Sequence, residues 1–201
     1  MEPQKTGKRS IALPITLVIL VFSLIGNVFL YSQFLQHKQE NNYEKGQRIF
    51  AAAIGSQQYA KEMQPLLEAL LASKSTTDRL GMQFDAGKAT ARGHALTELA
   101  KEAASLSAKP GEWNEKLPAS FVSGVETGLQ EIGRYEGPLN EADRAYLTEL
   151  KDSFEKISGI LSGFNSNIGE SRIAVIRLSS GLDWIELAEQ LQDLMTEKSA
   201  N

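Results

Sequence analysis

The 201-residue chain holds no cysteine and only two histidines, which excludes a disulfide framework, a Cys zinc site and a thiol nucleophile. Without Lys5, Lys8, Arg9 and Glu2 at the N-terminus, 18 of the 21 basic and 24 of the 25 acidic residues remain, a net charge of −6. That acidic balance argues against a nucleic-acid partner and against tight docking on anionic lipid.

The first element is an apolar run. Ile11 to Tyr31 is 21 residues without Asp, Glu, Lys, Arg or His. As a helix it spans about 31 Å, close to the hydrocarbon core of a bilayer. A signal peptide has a shorter apolar region and ends at paired small residues; here Leu24 and Leu30 stand two places before Gly26 and Ser32. The run therefore predicts an uncleaved anchor over residues 11–31, preferred to a cleaved signal and to a buried helix. Lys5, Lys8 and Arg9 precede it, so the positive-inside rule predicts a cytoplasmic tail at 1–10 and an extracytoplasmic 32–201. Tyr31 suits the interface and Pro14 suits a first turn. Asn27 either bonds a second helix or, as preferred, is wetted near the outer interface.

Helical patterns follow throughout. From residue 33 to Gln64-Pro65 only Gly46 and Gly55 interrupt, and Tyr43, Phe50, Ile54 and Tyr59 are candidates to face a core. Residues 65–72 read as a short helix or a continuation after a kink. In 76–107 the spacing of Leu80, Phe84, Gly87, Ala91, Ala95, Leu99, Ala103 and Leu106 predicts one buried face, with a break near 85–88 because of its glycines. Residues 108–118 read as a loop. Trp113 inside it is expected to pin the loop on the helices, with ligand stacking as the lesser reading. Residues 118–135 place Phe121, Val122, Val125, Leu129, Ile132 and Tyr135 at helical spacing, with Pro118 in the first turn.

The strongest pattern lies in 140–168. Leu147, Leu150, Phe154, Ile157, Leu161, Phe164 and Ile168 alternate by three and four residues, a heptad seam. Asn140 is its expected N-cap and Gly169 its expected stop. The seam is read mainly as internal packing and secondarily as a partner face. Residues 171–180 are read as helix or extended connector. Asp183 and Glu186 suggest a capped helix over 183–197, burying Trp184 or Ile185, Ala188, Leu191, and Leu194 or Met195.

The expected fold is all-α: a single N-terminal transmembrane helix, then an extracytoplasmic antiparallel bundle of four or five helices over 32–197, with 198–201 as a disordered tail. No catalytic constellation accompanies it. His37 and His94 are 57 residues apart, and no H-x-x-x-H, phosphate-binding loop or G-x-S-x-G occurs. Glu112 and Glu115 beside Trp113 read as solvated loop acids rather than as a glycosidase pair. The expectation is no enzyme activity, no cofactor and no metal. The interaction candidates are Leu147, Leu150, Phe154, Ile157, Leu161, Phe164, Trp113 and Trp184.

The order of the apolar run, Asn42-Tyr43, "EGPLNEADRAYLTEL" and "LDWIELA" resembles the membrane-anchored N-terminal region of the YpeB type of spore germination proteins. The likeness covers most of the chain loosely. The PepSY repeats that follow in that family are not found in these residues. The resemblance implies a non-catalytic role in sporulation or germination, holding or regulating a cell-wall lytic enzyme. Two functions are carried forward: a membrane-anchored module that binds another envelope protein or itself, and an extracytoplasmic small-ligand sensor, near Trp113 or His94, acting through a partner membrane protein. The ten residues before the span are too few for a signalling domain, so a sensor of this kind would need that partner.

Overall fold

The structure is a computed structural model and describes residues 12–107, 113–132 and 134–199. All regular structure among them is helical, with no strand. The chain divides into two units at Asn41/Asn42.

The first unit holds the opening part of helix α1, Ala12–Ala72. From Pro14 to Asn41 every side chain is exposed, including Phe22, Phe29 and Leu30. An 18-residue window here reaches a mean hydropathy of 2.2, long and apolar enough to cross a membrane. The expected tail at 1–10 lies outside the described residues.

The second unit begins at Asn42. Its part of α1 buries a broad stripe: Ile49, Ala53, Ser56, Tyr59, Ala60, Met63, Leu67 and Leu70. The helix continues through Pro65, so 65–72 is not a separate element. Gly46 is needed for packing, since a Cβ there would run into the Val175 carbonyl.

Among the described residues there follow the α-helices α2 (Thr76–Thr90), α3 (His94–Ala104), α4 (Leu117–Glu131), α5 (Glu141–Leu161), α6 (Arg172–Leu178) and α7 (Ile185–Ser199). Helix α2 opens with a capping box: Ser75 accepts from the Asp78 amide, and the Asp78 carboxylate accepts from the Ser75 amide. The glycines at 81 and 87 do not break it; the interruption comes later, in a 3-10 turn at Ala91–Gly93. Its buried face also differs from the expected one. Leu80 and Phe84 are 62% and 65% exposed, while Arg79, Ala86, Ala89 and Thr90 are buried. The cause is Arg79, fully buried, which donates to the Tyr135 and Gly137 carbonyls at 2.7 and 2.8 Å and turns the helix about its axis. In α3 the expected face holds: Leu99 and Ala103 are buried.

Three helices have their C-terminal carbonyls bonded by side chains from elsewhere. Gln83 of α2 donates to Leu129 and Ile132 at the end of α4, at 3.1 and 2.5 Å. Gln57 of α1 donates to Leu161 and Phe164 at the end of α5, at 2.7 and 3.2 Å. The Trp184 indole N–H donates to Leu178, the last residue of α6, at 2.9 Å. These contacts satisfy carbonyls that a helix end leaves without intrahelical partners. Helix α5 thus stops at Leu161, eight residues before Gly169, although Phe164 beyond it is still buried against Phe50.

The segment 171–180 is helical, as α6, and not extended. Asp183 does not cap by the expected pattern. It sits at φ 69°, its carboxylate accepts from Arg177 at 3.2 Å, and α7 begins two residues later at Ile185. Helix α7 runs to Ser199, past residue 197 where the domain is expected to end. Trp184, Ala188, Leu191, Leu194 and Met195 are buried.

Candidate functional site

The heptad seam is internal. Leu147, Leu150, Phe154, Ile157, Leu161 and Phe164 lie between 0% and 6% exposed within one apolar core. Phe154 is central to it: Tyr59 meets its ring edge-to-face at 5.1 Å and Phe121 lies 6.0 Å away. Trp184 is buried at the start of α7, and Trp113 is half-buried against the same core. Beside Trp113, the Asn114 amide donates to the Gln192 side chain at 3.1 Å. Of these seam side chains only Leu150 borders a surface cleft, described below.

His94 and Glu115 are exposed, and Glu112 lies outside the described residues. Among the described residues no group of three or more His, Asp and Glu side chains could hold a metal ion.

Two surface features among the described residues bear on function; Ile173 and Leu182 are also exposed, at 76% and 54%. The first is a cleft of about 430 Å³ between α4, α5 and α7. Its apolar lining is Leu117, Phe121, Val125, Leu150 and Met195; Ser120, Ser153, Tyr146, Glu149 and Lys198 supply polar groups. The local sequence of α4 explains the space. Ser120, Gly124 and Gly128 repeat every four residues, so one side of the helix carries almost no bulk. The Tyr146 ring fills the position beside Gly128, where a Cβ would strike its hydroxyl, whereas a Cβ on Gly124 would meet nothing within 4 Å. At the rim, Lys198 Nζ pairs with Glu149 Oε1 at 2.9 Å. The Lys198 side chain is 19% exposed and that of Glu149 is 56% exposed. Burial raises the Tyr146 phenol above its ordinary pKa, and the charges of Glu131 and Glu149 add to the rise. Sequence periodicity missed this cleft because it followed the apolar positions of α4; the small-residue repeat on its other side was the available signal.

The second feature is the Leu80–Phe84 pair on α2. The two side chains stand four residues apart on one exposed face, and Lys88 Nζ lies 4.2 Å from the Phe84 ring centre. Leu80 and Phe84 both line a groove of about 390 Å³ between α2 and α4.

Comparison with protein-family models, with curated proteins and with solved structures returns no match.

Proposed function

We propose that the chain is a non-enzymatic, membrane-anchored helical module that holds or regulates another envelope protein. In this reading residues 11–31 span the membrane with the N-terminus in the cytoplasm, and an antiparallel helical bundle stands outside. Lys5, Lys8 and Arg9 before the apolar run support that orientation. The YpeB-type resemblance makes a cell-wall lytic enzyme of sporulation or germination the first partner to look for.

The observation that carries the reading is the exposed Leu80–Phe84 pair. Large apolar side chains grouped on an exposed helix face are characteristic of protein contact surfaces. The test is co-purification of the C-terminally tagged chain from native membranes in mild detergent. An envelope protein should be recovered in stoichiometric amount and be lost from a Leu80→Glu, Phe84→Glu variant, which should fold normally because both side chains are exposed. Recovery of the chain alone, or only of its own oligomer, counts against a second envelope protein. Retention of the partner by the variant would move the contact elsewhere.

A second reading, an extracytoplasmic small-ligand sensor acting through a partner membrane protein, is supported by the cleft between α4, α5 and α7. Its volume and mostly apolar lining match those of small-molecule sites. The support comes from this cleft and not from the surroundings of His94 or Trp113. A thermal-shift screen that finds no stabilising solute would count against the sensor.

A further inference from the structure

We infer that the cleft between α4, α5 and α7 is a binding site for a small carboxylate with an apolar or aromatic body, the carboxylate being held by Lys198. This rests on the ligand-sensor reading and names the chemistry of its ligand.

The floor of the cleft is apolar and deep enough for a side-chain-sized group: Val125, Leu150 and Met195 are between 2% and 6% exposed. Phe121 and Tyr146 bring aromatic rings to it. Such a lining favours an apolar body through removal of both surfaces from water. The charged rim chooses the sign of the head group. The Lys198 side chain is 19% exposed, so its covered stem fixes the ammonium in place at the rim, where it pairs with an anion. Its present anion, Glu149, is more than half exposed and regains full hydration on rotating outward. A ligand carboxylate can therefore replace Glu149 on Lys198 at small cost. A cationic head would find only the exposed Glu149 carboxylate, already held by Lys198 and repelling a second cation through it. A neutral head would leave the ion pair closed across the rim.

Gly124 gives a direct test, because a side chain there enters open space and not a neighbour. Gly124→Leu should occupy the cleft while leaving the fold intact, and it exchanges glycine for a better helix former. The full chain in phosphatidylcholine nanodiscs would be titrated with 3-(4-fluorophenyl)propionate and with its neutral isostere 3-(4-fluorophenyl)propan-1-ol, read by fluorine NMR. Partition into lipid is subtracted with the Gly124→Leu protein, after its thermal transition has shown it folded.

The expected result is saturable binding of the propionate that Gly124→Leu removes. Lys198→Gln should weaken it about tenfold, the loss of one charge-assisted hydrogen bond. Glu149→Gln should tighten it about threefold by removing the competing carboxylate. Equal binding of alcohol and propionate, or unchanged affinity in Lys198→Gln, would overturn the carboxylate assignment while leaving a cleft ligand standing. Binding of neither probe would overturn both the assignment and a cleft ligand of this size.

Discussion

Arg79 shows how one side chain can decide the orientation of an element. Among the described residues its guanidinium makes no hydrogen bond to a carboxylate. It is held by the Tyr135 and Gly137 carbonyls and by Thr76 Oγ1, and it lies 5.5 Å from the Tyr135 ring centre. Arg79→Ala would take the donor from the Gly137 carbonyl, leave the Tyr135 carbonyl with Thr76 Oγ1 alone, and open a void; the expected loss is about 2–4 kcal/mol in urea unfolding. Arg79→Lys should recover only part of it, because an ammonium cannot present a planar fork to two acceptors. Like the Arg79 Nε, Tyr59 carries a buried polar atom without a partner: the residue is fully buried, and its hydroxyl makes no hydrogen bond of good geometry among the described residues. Burial raises its pKa strongly, an effect that neighbouring Thr90 only partly offsets. The folded state thus holds the proton more tightly than the unfolded state. Stability is unaffected below the ordinary tyrosine value and falls as pH rises above it. Tyr59→Phe should be neutral or stabilising by about 1 kcal/mol, and its alkaline unfolding should begin at higher pH than that of the parent. Neither behaviour is legible in the sequence. An arginine between Asp78 and Leu80 reads as surface, and only the two carbonyls opposite explain why it is not.

Helix ends divide into those written locally and those completed from a distance. The starts of α2 and α5 were legible, or could have been, because the caps Ser75 and Asn140 lie beside the helices they serve. In α2 the bonds from Ser75 and Lys74 hold the Asp78 carboxyl below its usual pKa. With the folded value depressed, this contribution is present above the ordinary carboxylate range and is lost as pH falls through the lowered value. The stability difference between the parent and Asp78→Asn should therefore shrink on acidification, measurable by denaturant titration from neutral pH to about pH 3. The ends of α4 and α5 were not legible, because Gln83 and Gln57 close them from other helices. A local rule placed the end of α5 at Gly169 for want of that information. Gln57→Ala and Gln83→Ala should each cost about 1–3 kcal/mol, the loss of two hydrogen bonds to largely buried carbonyls. Gln57→Glu should not rescue the first, since a carboxylate cannot donate to a carbonyl.

At the scale of the molecule, the seam of α5 was legible because a strict alternation of three and four has few other meanings. Its six buried members share one core with side chains of α1, α3, α4 and α7. Leu150→Asp with Phe154→Asp would place two charges in that core and should abolish the cooperative thermal transition of the second unit. The cleft was legible only in part: the Ser120, Gly124 and Gly128 repeat along α4 is in the sequence, but the two other helices that close around the gap are not. The apolar span was the plainest element of all, needing only composition and length.

The bond from Gln57 to the Leu161 carbonyl joins residues 104 positions apart. At ordinary translation speeds, roughly 5–20 residues per second, its acceptor leaves the ribosome about 5–20 s after its donor. Throughout that interval Tyr59 lacks the Phe154 ring it later meets, and Ile49, Met63, Leu67 and Leu70 lack the α5 members of the core they share. The nascent chain is thus obliged to pass through a sticky, half-made state. Its production in a cell should depend on holding chaperones far more than the stability of the finished chain would suggest.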